Sequence, residues 1–210
     1  MAVVNGTISA HADDIQIYYS AGWDTADSTT IWFGRAGGFG EPVALRFTLD
    51  AAIPVGATID SADLKMYGDN ADAVDDLWVY VTESGNGAQV TLASQRPTWI
   101  DSGSTTTYPT ADEGAGAIHW TGTWTLAAWN TVSITSIIQY LVNTYGGLAS
   151  GAHVVAWVVG DNAYSNVESG LLSYDGANKA TLTINYTPGG QQPGGGAADD
   201  RFRFRPSQRV

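Results

Sequence analysis

Residues able to carry chemistry are sparse and scattered along this chain. The three histidines, His11, His119 and His153, stand apart, and no nucleophile elbow, metalloprotease helix or phosphate loop accompanies them. Adjacent carboxylates occur at Asp13-Asp14, Asp75-Asp76 and Asp112-Glu113. Glycosidic chemistry needs two carboxylates facing each other across a cleft, which neighbours in sequence do not supply. No catalytic residue is therefore expected. The stretch "DNADAVDD" offers hard oxygen ligands at Asp69, Asp72, Asp75 and Asp76, a donor set that suits a structural calcium ion. Its spacing is not that of an EF-hand, and the plainer expectation is a solvated acidic turn with no cofactor.

Aromatic side chains are the other reactive surface. If the strands "DLKMYGDN" and "DDLWVYVTES" pair, Tyr67, Trp78 and Tyr80 fall on one outward face with Lys65 beside them. Flat rings exposed in this way can stack on the C–H faces of sugars. Trp23, Trp32 and Trp99 are further candidates. Eight tryptophans are too many for all to be ligands, and the plainer expectation for the stripe is core cover or a subunit interface.

Charge is segregated. The net charge is −12, but four of the nine basic residues lie in 201–210, leaving five bases against 21 acids, or −16, in residues 1–200. Such a body should repel nucleic acid and anionic membranes. The last segment alternates Arg201, Phe202, Arg203, Phe204 and Arg205 before Pro206. Extended, it sets three arginines on one edge and two phenylalanines on the other. It is expected to dock on another sheet edge or on an acidic surface, including that of a second copy.

Elements must position these groups, and the composition indicates strands. Twenty-five glycines punctuate a chain rich in threonine, valine and aromatics. In "ALRFTLD", Leu45, Phe47 and Leu49 alternate with Arg46 and Thr48; in "SADLKMY", Ala62, Leu64 and Met66 alternate with Asp63, Lys65 and Tyr67. Leu77, Val79 and Val81 are expected inward, as are Leu182, Ile184 and Tyr186. "GGFGEP" reads as a hairpin turn, and "HVVAWVVG" as a central strand covered on both faces. One helix is expected: Ile134, Ile137, Ile138, Leu141, Val142 and Tyr145 share a helical face, with Ser133 or Thr135 capping its start and Gly146 ending it. The expected architecture is all-β, an antiparallel two-sheet jelly-roll sandwich over residues 1–187 with one packed helix. A flexible linker over 188–200 and the docking arm over 201–210 follow.

"ALRFTL" followed by "IPVGATIDSADLKMY" resembles DNRLRE-type domains and related carbohydrate-binding-module-like jelly rolls. The order agrees too: Ala12-Asp13 early, then Arg46-Phe47, Ile53 to Tyr67, Trp99, Ser136 to Tyr145, and a closing Ala180 to Tyr186. The resemblance covers nearly the whole body and none of the arm. It implies a β-sandwich of the kind found in extracellular, surface and virion proteins, some of which bind polysaccharide, and it places no site.

With no basic leader and no long apolar run in "MAVVNGTISAHADD", no export signal is expected. The expected role is a virion structural protein, a bacteriophage decoration, fibre or tail-associated component made in the host cytoplasm. Its expected partners are copies of itself and other virion proteins. The alternative is a carbohydrate-binding module of a secreted or cell-surface protein.

Overall fold

The structure is a computed structural model. It describes residues 1–18, 22–24, 29–36, 39–71, 77–82, 84–89, 116–160 and 168–189. Among these, thirteen strands and one α-helix form: β1 (Ala2–Thr7), β2 (Asp14–Tyr18), β3 (Gly22–Asp24), β4 (Thr30–Ala36), β5 (Phe39–Glu41), β6 (Val43–Leu49), β7 (Thr58–Ala71), β8 (Leu77–Val81), β9 (Ile118–Trp120), β10 (Trp129–Ser133), α1 (Thr135–Tyr145), β11 (His153–Gly160), β12 (Glu168–Leu172) and β13 (Thr181–Thr187). A single 3-10 turn, His11–Asp13, joins β1 to β2.

All described pairings are antiparallel, and they link the strands in the order β5-β4-β12-β7-β13-β1-β6-β11-β8-β9. The all-β expectation thus holds, with the one helix packed on the sheet. The long β7 bonds β13 and β10 along its first ten residues and β12 along its last four. The sheet rolls so that β4 lies against β11 and β6. β4 and β5 pair antiparallel, with Ala36 opposite Phe39, so Phe39–Glu41 of the stretch expected as a hairpin turn is strand; Gly37 and Gly38 lie outside the described residues.

Alternation decides what enters the core. Leu45, Phe47, Leu49, Ala62, Leu64, Met66, Leu77, Val79, Leu182 and Ile184 are all buried in one cluster. β11 contributes to two clusters, as a strand covered on both faces must. Val154, Ala156 and Val158 join the main core, while Val155 and Trp157 join a second one with Ile15, Ala44 and Tyr80.

The helix closes an edge. Ile137, Ile138, Leu141 and Val142 are fully buried, each contributing about 1.5–3 kcal/mol of apolar burial. Tyr145 stays 42% exposed, so it lies off the face the spacing assigned it. β10 covers β7 only from Asp63 onward, which leaves the earlier backbone of β7 without a strand on that side. The helix supplies the partners instead. Ile134 N–H donates to Ala62 O at 2.8 Å, and Ala62 N–H donates to Thr135 Oγ1 at 2.9 Å. Ile59 N–H donates to Gln139 Oε1 at 2.8 Å, and Gln139 Nε2 donates to Ala57 O at 3.1 Å. Buried backbone polar groups are thereby satisfied. This explains a failed expectation: neither Ser133 nor Thr135 caps the helix, whose N-cap is Ile134. The Thr135 hydroxyl is engaged with the sheet. Gly146 does end the helix in the left-handed region at φ 69°. No helix among the described residues is long and apolar enough to cross a membrane.

Candidate functional site

Among the described residues, the most exposed tryptophan, Trp129, stands on the outward face of β10, β7, β13 and β1. Cross-strand register lines its residues up in rows. Trp129 stands opposite Tyr67; Thr131 opposite Lys65, then Thr181, then Thr7; Ser133 opposite Asp63, then Thr183, then Asn5. The two rings at the head of the face meet edge to face, with centroids 5.4 Å apart at 80°. Trp129 remains 46% exposed although a buried indole would be worth more to stability. The other positions are mainly hydroxyls, with one cation and one carboxylate.

The mount of Trp129 is rigid. Asn130 points the other way and is buried; its Oδ1 accepts from Thr125 N–H at 2.8 Å and its Nδ2 donates to Thr125 O at 3.0 Å. Two backbone bonds tie the same turn to β7, Ala127 N–H to Gly68 O at 2.8 Å and Gly68 N–H to Ala128 O at 3.0 Å. Gly68 is required by close approach: a Cβ there would collide with Thr125 O and sit 3.1 Å from Trp124 Nε1. Ala127 takes φ 50°, the one non-glycine residue with positive φ among the described residues, a conformation that costs on the order of 1 kcal/mol or more. Below the turn, Trp124 is buried edge-on to Phe33 at 4.8 Å.

The platform expected from Tyr67, Trp78 and Tyr80 does not form. β7 bonds β10, β12 and β13, whereas β8 bonds β11 and β9, so Tyr67 is separated from the other two. Trp78 and Tyr80 do point away from the main core. However, Ile15, Ala44, Trp157 and Tyr80 form one row across β2, β6, β11 and β8. Packed against that row, Tyr80 is only 4% exposed. Trp78 is half-buried and stacks on His119, with centroids 4.3 Å apart and planes 10° apart. Trp32 is half-buried, and its backbone N–H donates to Gln16 Oε1 at 2.8 Å. The side chain of Trp23, and all of Trp99, lie outside what is described.

Of the acidic group, Asp69 is exposed at the end of β7 and accepts from the Thr30 hydroxyl. Asp72, Asp75 and Asp76 lie outside the described residues, as do Arg201, Phe202, Arg203, Phe204 and Arg205. Among the described residues, no three His, Cys, Asp or Glu side chains gather where they could hold a metal ion.

A polar clamp sits on the far side of β6. Arg46 Nη1 donates to Asp13 Oδ1 at 2.7 Å, and Arg46 Nε donates to Gly87 O at 3.2 Å. Ser9 Oγ donates to Asp13 Oδ2 at 2.9 Å. The ion pair fastens the 3-10 turn to the sheet, joining the Ala12-Asp13 and Arg46-Phe47 pieces. Beside it, Asn86 Oδ1 accepts from His153 N–H at 3.0 Å and lies 2.8 Å from Nδ1, which places the ring proton on Nδ1. Burial holds the His153 imidazole below its ordinary pKa, and the Arg46 charge adds to this against the pull of Asp13. With these groups tied to one another, the clamp serves architecture.

Trp129 was legible in part. In "WNTVS" the alternation sets Asn130 and Val132 inward and Trp129, Thr131 and Ser133 outward. What the alternation does not give is that β10 is the strand beside Tyr67. Neither a family model nor a curated protein sequence matches this chain.

Proposed function

We propose that the chain is a structural component of a bacteriophage particle, a decoration, fibre or tail-associated protein. Its antiparallel body, a jelly roll of two packed layers, faces outward, and its C-terminal arm ties it to other copies or to other virion proteins. The observation that carries this reading is charge segregation: residues 1–200 carry −16, and four arginines and two phenylalanines follow within the last ten residues. Opposite charges steer such an arm to an acidic neighbour, and the phenylalanines anchor it. The two-layer description is supported by β4 lying against β11 and β6 across a shared core. The body's last strand is secured at its end, where Thr187 Oγ1 donates to Asp60 Oδ2 at 2.9 Å, so force on the arm is delivered to β7. A chain ending at Gly189 is expected to fold, as followed by circular dichroism, and to be lost from assembled particles. Full incorporation of that shortened chain would refute the role.

A second reading, a carbohydrate-binding module of a secreted or cell-surface protein, is favoured by one observation: an exposed tryptophan on a rigid mount at the head of a hydroxyl-lined sheet face.

A further inference from the structure

We infer that the open edge of β10 receives the C-terminal arm of a second copy, with residues 201–205 adding to it as an antiparallel strand. The inference rests on the proposed role of the arm in joining copies, and it names the surface on which the arm lands.

Three observations lead to it. First, β10 has a strand on one side only. Among the described residues it bonds β7 and no other strand. Gly68 N–H donates to Ala128 O, and Ile134 N–H donates to Ala62 O. Bonding alternates along an antiparallel pair, so Asn130 and Val132 face β7 between these two points. Trp129, Thr131 and Ser133 turn their N–H and C=O groups the other way, where no described residue bonds them. Such a row is a template for an added strand. The other strands with a single described neighbour, β3, β5 and β9, are three residues long, whereas β10 has five.

Second, the arm matches this edge in length and pattern. Arg201 to Arg205 are five residues, and Pro206 ends them because it cannot donate to a ladder. β10 sends Asn130 and Val132 inward, both buried, and leaves Trp129, Thr131 and Ser133 exposed. With Arg203 opposite Thr131, Phe202 and Phe204 fall beside Val132 and Asn130 and extend the inner row. The three arginines then lie on the outer face, in water. A slip of one residue would press arginines against the buried row, which is costly. In the favoured register Arg205 comes beside Trp129, whose 46% exposed ring gains a cationic partner.

Third, charge and topology choose the occupant. Residues 1–200 carry −16, so a cationic strand is drawn to this edge, while β10 of another acidic body is repelled from it. Asp63, opposite Ser133, stands on the face where the arginines lie. β13, which leads toward the arm, and β10 pair with the same β7 residues, Asp63 and Lys65, from opposite sides. An arm seeking its own β10 would have to double back across β7; a neighbouring copy offers the same edge without that fold.

The chain has no cysteine, so disulfide trapping reads the contact directly. Full-length Thr131→Cys and full-length Arg203→Cys are mixed, oxidised and resolved on non-reducing gels. Facing residues of a bonded antiparallel pair lie about 5.5 Å apart at Cα, within the span of a disulfide. The control is Thr7→Cys, exposed on the same face in a strand paired on both sides. Docking raises the effective thiol concentration, so mixed dimer is expected in about tenfold or higher yield over that control. Ser133→Cys with Arg201→Cys should trap as well. Adding Thr131→Pro to the Ser133→Cys chain should abolish that link, because the arm loses its central bond. The body should still fold, since the lost N–H faces away from β7, and near-UV circular dichroism checks this. Mixed dimer no greater than with Thr7→Cys would overturn the inference, as would a Ser133–Arg201 link that survives Thr131→Pro. A disulfide closed within a chain carrying both Thr131→Cys and Arg203→Cys, in place of mixed dimer, would overturn it too. Particles that need the arm yet show no link to β10 would remove this inference and leave the assembly role standing, so the two fail separately.

Discussion

Replacing Asp13 by asparagine should loosen the turn between β1 and β2. The carboxylate is 2% exposed and its partner Arg46 is 17% exposed, with 2.7 Å between the bonded atoms. Breaking one side of a fully buried ion pair costs about 3–5 kcal/mol, because the other charge is stranded. Arg46 retains some water and keeps its bond to Gly87 O, so the cost here should be about 2–3 kcal/mol after allowance for solvent screening. For a chain of this size that lowers the melting midpoint by roughly 4–12 °C. Arg46→Met, which keeps the stem and removes the charge, should cost a similar amount. The double variant should cost clearly less than the sum, by about 1.5 kcal/mol or more, because the second change relieves the stranded charge. Urea denaturation of the three variants closes the cycle. A second readout is His153: Asp13 pulls its pKa upward, so Asp13→Asn should move its proton resonance titration to lower pH. Single losses under about 0.5 kcal/mol that simply add would refute the clamp.

Other consequences follow from the same contacts. Gly68→Ala forces a Cβ against Thr125 O and should cost about 1–3 kcal/mol, with a change in the emission of the exposed Trp129 that an unperturbed turn would not show. Gln139→Ala strands Ile59 N–H and Ala57 O at the edge of β7 and should cost about 2 kcal/mol; hydrogen exchange at Ile59 should quicken, and unchanged protection there would contradict the edge-closing role of α1. His153 binds its proton less readily folded than unfolded. Its contribution to stability is therefore complete above the unfolded value of about 6.5 and is lost as pH falls through the lower folded value. Urea midpoints measured across that window should rise with pH, and His153→Gln should flatten the rise. Calcium and chelator titrations should leave the melting midpoint unchanged; a calcium-dependent rise that Asp69→Asn abolishes would contradict the solvated acidic turn.

Local pattern carried much of the fold. Period-two alternation marked the inward faces of β6, β7, β8 and β13, because one-sided burial writes itself into neighbouring residues. The apolar run of β11 announced a strand with two covered faces. Partner choice was not written locally. β7 and β8 are close in sequence, yet β7 spends its bonds on β10, β12 and β13, and that choice removed the expected platform. Tyr80 alternates outward as read, but outward there means onto Trp157 and Ile15. Likewise Thr135 had the chemistry of a helix cap, and the open edge of β7 claimed its hydroxyl. Trp129 shows the converse. Its outward direction was readable, but its value as a site depends on Asn130, Gly68 and Tyr67, which are brought together only by the sheet.

A role in assembly requires the basic arm to reach another chain. A photoreactive phenylalanine analogue at position 202, irradiated in assembled particles and followed by peptide mapping, should join the arm to an acidic surface of a second copy or of a neighbouring virion protein. Cross-links confined to the arm's own chain, or none at all, would contradict a role in assembly.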